Sequence, residues 1–133
     1  MSAQTSRTDV RLPLTLRVAS GLLVLLVAAS MFGLVMFGFV WTDDAFGPGA
    51  VFAAVSLAAA VTALVAVPSL LRGDRTAWLV VLGWTVAYDY WTVYKVFGLP
   101  EFESTPFLVT GLVVLALLAA PATRRFVAAR EAR

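Results

Sequence analysis

Four apolar blocks, each close to the length that crosses a bilayer as a helix, alternate along this chain with short polar segments. Residues 18–41 form the first block, and at 1.5 Å per residue they span about 36 Å, enough to cross with some tilt. Residues 50–71 and 77–97 form the second and third. Residues 106–123 form the fourth, near the short limit for a crossing. The expected architecture is an all-α membrane protein, a single transmembrane domain built as a four-helix bundle.

The breaks carry turn chemistry. Asp43, Asp44 and the Gly47-Pro48-Gly49 run separate the first two blocks. Gly73 is placed as the C′ residue that ends the second helix. Thr105 followed by Pro106 reads as N-cap then N1 of the fourth. Pro13 interrupts any long helix before the first block, so residues 1–16 read as an irregular start and an interfacial segment. Pro68 and Pro121 are expected to bend the ends of the second and fourth spans. A signal peptide competes for the first block, with Arg7, Arg11 and Arg17 as its basic region and Val27-Ala28-Ala29 as its cleavage site. The uncleaved helix is favoured, because the apolar run continues past the ~7–15 residues of a signal core.

Two stripes of small residues run along the second block: Ala50, Ala54, Ala58, Thr62 and Ala66, and Ala53, Ser56, Ala60 and Ala63. Small residues let helix backbones approach closely in lipid, so this helix is expected to be touched on more than one side. Both outer loops hold two acids, a Phe and a Pro, a faint internal echo that shared interfacial requirements explain equally well.

Composition agrees with the block pattern. Of 133 residues, 61% are hydrophobic and 14% charged, with mean hydropathy +0.91. Soluble domains carry about 25% charged residues. The nine Arg fall in the N-terminal segment, the second-to-third connection and the C-terminal tail, all on one side of a four-span arrangement. Asp43, Asp44, Glu101 and Glu103 form an acidic rim on the other side, with Lys95 at its edge. The positive-inside rule then puts both termini in the cytoplasm, and the expected location is a bacterial inner membrane. Arg124, Arg125, Arg130 and Arg133 are expected to meet anionic lipid headgroups. A tail so close to the bilayer is a poor nucleic-acid binder.

The chemistry narrows to one residue. There is no Cys and no His, which removes disulfides, thiolate sites, the commonest metal ligand and the usual general base. No cofactor or metal is expected, and no enzymatic constellation is present. Asp89, however, stands inside the third block, twelve residues past Ala77 and thus about 18 Å along the helix. A charge at mid-span costs ~2.5–3.5 kcal/mol on insertion scales, so Asp89 should face other helices or water. Thr85 (i−4) and Thr92 (i+3) give it a narrow polar stripe. Six aromatic residues lie between Trp84 and Phe97. Trp84 and Tyr88 are deep enough to line a pocket, and the others suit the interfacial belt. Lys95 is rotated about 240° from Asp89 and is expected to snorkel toward Glu101 or Glu103.

Two functions follow. The favoured expectation is a non-enzymatic membrane protein assembling with itself or another membrane protein, with Asp89 an interhelical hydrogen-bond anchor to a Tyr or Trp, Ser30 or Thr62. The alternative is a small cation or proton transporter or channel using Asp89, with Thr85, Thr92, Tyr88 and Trp84 around it.

Overall fold

A computed structural model describes residues 11–36 and 47–132. Arg7, Trp41, Asp43, Asp44 and Arg133 lie outside the described residues. Within them the chain is helical, with no strand: α1 (Leu14–Val35), α2 (Pro48–Leu71), α3 (Arg75–Val93), α4 (Thr105–Ala119) and α5 (Pro121–Glu131). A π-helical turn, Tyr94–Gly98, prolongs α3, and a 3-10 turn, Phe102–Ser104, leads into α4.

Three helical stretches are long and apolar enough to cross a membrane: Leu14–Val35, Gly49–Leu71 and Phe102–Ala119. The expected third span, α3, does not reach that measure. Asp89 and the Trp, Tyr and Thr residues on α3 lower its hydropathy.

The helix ends differ from expectation for local reasons. Pro13 sits at the N-cap of α1, so that helix starts at Leu14 rather than at 18. Thr105 is not a cap but already helical, and Ser104 precedes it without a side-chain capping bond. Asp74 caps α3, accepting from the Thr76 amide at 2.8 Å and the Ala77 amide at 3.5 Å. Pro121 does more than bend the fourth span. Ala120 adopts an extended ψ of 144°, as residues before proline prefer, so α4 stops at Ala119 and α5 starts afresh. Pro68 stays inside a continuous α2.

The first four helices close into a ring. α1 packs on α2 and α4, and α3 packs on the same two, so α1 and α3 occupy opposite corners. Leu16, Leu23, Val27, Leu70, Val81, Val114 and Leu118 fill the centre. On α2 the two small-residue stripes part company. Ala53, Ala60 and Ala63 are fully buried. The four-residue stripe drifts about 40° per step on a 3.6-residue helix, so Ala50 is buried while Ala54, Ala58 and Thr62 are exposed. Large apolar side chains cover the outside as well: Leu25 is 66% exposed, Val65 70% and Val109 55%. Exposed apolar side chains on this scale, on helices long and apolar enough to cross a membrane, suggest a membrane protein.

α5 lies across one end of the ring, packing on α1, α3 and α4 through Thr123, Phe126 and Val127. Thr123 and Thr15 of α1 are hydrogen-bonded at 2.9 Å, and Arg75 of α3 pairs with Glu131 at 3.0 Å. The second-to-third turn completes this floor. Gly73 has φ +83° and its amide donates to the Leu70 carbonyl at 2.9 Å. A Cβ on Gly73 would come within 2.5 Å of Arg130 Cγ and 3.1 Å of Phe126 Cε1. Gly73→Ala therefore combines a left-handed backbone penalty with a forced shift of α5. It is expected to cost about 2 kcal/mol and to lower the melting temperature in detergent. Gly33→Ala, which meets open space, is the matched control and should not.

Candidate functional site

The inward face of α3 is a row set by helical spacing: Ala77, Val81, Thr85, Asp89 and Thr92, all buried, continued by Val96 in the π turn. Asp89 is 5% exposed although it carries the only ionisable side chain in that row. Space for it comes from α4, whose inward row is Leu108, Gly111, Val114 and Leu118. Asp89 Oδ1 is seated against Gly111. A Cβ at Gly111 would overlap that oxygen and would lie 3.4 Å from Tyr88 Cδ1. Sequence reasoning passed over Gly111. Its signal was a helix-weakening glycine in the middle of an otherwise aliphatic span.

The two threonines on either side do not serve as donors to the acid. Thr85 Oγ1 donates to the Val81 carbonyl and Thr92 Oγ1 to the Tyr88 carbonyl, each at 2.8 Å. A hydroxyl has one hydrogen, and here the backbone four residues earlier takes it. Among the described residues neither Asp89 oxygen has a hydrogen-bond partner. The anchors that the sequence offered are not engaged either: Thr62 is exposed and donates to the Ala58 carbonyl at 2.8 Å, and Ser30 makes no bond to Asp89. On α1, buried Ser20 Oγ is likewise unpartnered.

The aromatic residues divide by depth. Trp84 and Tyr88 stack on each other, centroids 5.1 Å apart and planes 19° apart, and pack against the central core. Trp91 leans on Phe52 of α2 and on Tyr94. Tyr90 and Phe97 point outward, 79% and 77% exposed. Lys95 pairs with Glu101 at 3.0 Å, and Glu103 is exposed nearby in the chain. At the opposite end Arg124, Arg125 and Arg130 are exposed on α5, with the Arg130 guanidinium 5.5 Å from the Phe126 ring centroid.

Chemically, this is a monodentate site: one carboxylate in an apolar ring, with the lone pairs of two hydroxyls on its own row. Among the described residues no three His, Cys, Asp or Glu side chains gather to hold a metal ion. A lone buried acid can exchange one proton or one small cation. The fit between Asp89 and Gly111 has a direct test in melting temperatures. Gly83→Ala, with open space around it, should be neutral or stabilising by about 0.5–1 kcal/mol. Gly111→Ala should cost about 1–3 kcal/mol by overpacking, and Asp89→Ala should relieve most of that cost in the double variant.

No protein-family profile, curated protein or solved structure matches the chain.

Proposed function

We propose that this chain is a four-span protein of a bacterial inner membrane that moves protons or a small cation through reversible binding at Asp89. The observation that carries the reading is the carboxylate itself, 5% exposed between α3 and α4 with no donor among the described residues. An acid held inside the ring as a structural anchor would have an interhelical bond to show for it. A buried ion without partners costs several kcal/mol, and taking up a proton or cation removes that cost. Ionisable groups within spans mark ion pathways by default.

In this arrangement α3 is the fourth crossing segment. It is tolerated despite its polarity because its polar row faces the other helices rather than lipid. The floor formed by α5 and the second-to-third turn faces the cytoplasm, as the placement of Arg72, Arg75, Arg124, Arg125 and Arg130 supports. Reporter tags on the two termini should both report cytoplasm, and opposite sides would end the proposal. Reconstituted into liposomes with a trapped pH dye and an imposed potential, the wild-type chain should carry a flux that Asp89→Asn reduces at least tenfold. Equal flux in the two proteins, or none in either, would overturn the reading.

A second reading, assembly with another copy through α2, rests on the outward stripe of Ala54, Ala58 and Thr62. The chain has no native Cys, so single replacements report cleanly. Ala58→Cys should form disulfide dimers in native membranes, while Ala63→Cys, on the buried side, should not.

A further inference from the structure

The break at Ala120 turns α5 away from α4 and leaves an open cleft of about 580 Å³ between α5 and the start of α3. Its wall is amphiphilic. Trp78, Pro121 and Val127 supply an apolar side, and Arg75, Arg124 and Arg125 supply cationic groups. Glu131 is the opposing charge in the lining and is taken up by Arg75 at 3.0 Å. Arg124 and Arg125 have no carboxylate within ion-pair distance among the described residues. The Trp78 indole N–H donates to the Leu118 carbonyl at 3.0 Å. That bond ties the ring to the end of α4 and satisfies its polar atom, so the indole presents apolar surface to the cleft.

We propose that this cleft binds one anionic phospholipid, its phosphate on Arg124 and Arg125 and its glycerol and first acyl carbons along Trp78 and Pro121. Charge complementarity selects the headgroup, because two unpaired guanidinium groups fit a phosphate geometrically as well as electrostatically. The apolar side selects an amphiphile over a soluble anion. Position agrees: the cleft is on the basic floor at the start of α3, where Arg75 and Trp78 both line it, the end of the ring that the proposed orientation turns toward the headgroups. Arg130 does not line it; Arg130 lines a neighbouring groove with Arg72 and Ser69 that shares Arg75 and Glu131 with the cleft. The site is independent of Asp89 and survives if the flux experiment fails.

Native mass spectrometry of the delipidated full-length chain, offered phosphatidylglycerol and phosphatidylcholine in equal amounts and, in a second arm, inorganic phosphate, tests it. The wild-type protein should retain one phosphatidylglycerol at least fivefold more than phosphatidylcholine. Arg124→Gln/Arg125→Gln should bring the two lipids level, Arg124→Lys/Arg125→Lys should keep part of the preference, and Arg130→Gln should leave it intact. These side chains are exposed, so the variants should fold, and an unchanged melting temperature verifies it. Equal retention by the wild type overturns the proposal. So does an undiminished preference in the double Gln variant, an equal loss from Arg130→Gln, or binding of inorganic phosphate with no lipid preference.

Discussion

A carboxylate enclosed by four helices is the constraint from which the rest of this structure can be understood. Asp89 faces inward, and in the four-span arrangement proposed above the outward side of α3 would meet hydrocarbon. Facing inward, it needs volume, and Gly111 of α4 leaves a Cβ's worth. It also lacks a donor, because Thr85 and Thr92 turn their hydroxyl hydrogens back onto their own helix. Each part is ordinary alone. Together they give a buried acid that is sterically fitted to its seat and has no hydrogen-bond partner among the described residues.

The ring around that site is held chiefly by shape, with the Trp78–Leu118 bond joining α3 to α4. Ala53, Ala60 and Ala63 bring α2 close to its neighbours, and Leu16, Leu23, Val81, Val114 and Leu118 fill the space between. Apolar side chains cover the outside as well; in the bilayer proposed for this chain, burial of apolar area would distinguish little between inside and outside, and close packing of small residues would be the source of association.

The two ends of the ring differ in kind. Among the described residues one has a single ion pair, Lys95 with Glu101, beside a π-helical turn. The other has a floor, α5, fastened by the Thr15–Thr123 bond, the close approach to Gly73 and the exposed Arg75–Glu131 pair. The ion pair is worth at most ~1 kcal/mol. The buried Phe126 and Val127 supply more of the attachment. That floor concentrates guanidinium groups where headgroups would lie, and the Ala120 break gives them a cleft rather than a flat surface.

Much of this was legible from residue order. Apolar blocks and Gly/Pro punctuation are local properties, so they determined the helical class, the positions of the breaks and the segregation of Arg to one end. The polar row Thr85–Asp89–Thr92 followed from helical spacing alone. Local patterns could not rank the two stripes on α2, since helical drift carries one of them around to the outside only once neighbouring helices are in place. Residue order also offered the pre-proline preference that extends Ala120 and ends α4 there, but not the direction in which α5 then docks. Above all, Gly111 is twenty-two residues from Asp89 in the chain and beside it in space. Only the packing of α4 on α3 made a glycine that weakens its own helix into the room an acid needs.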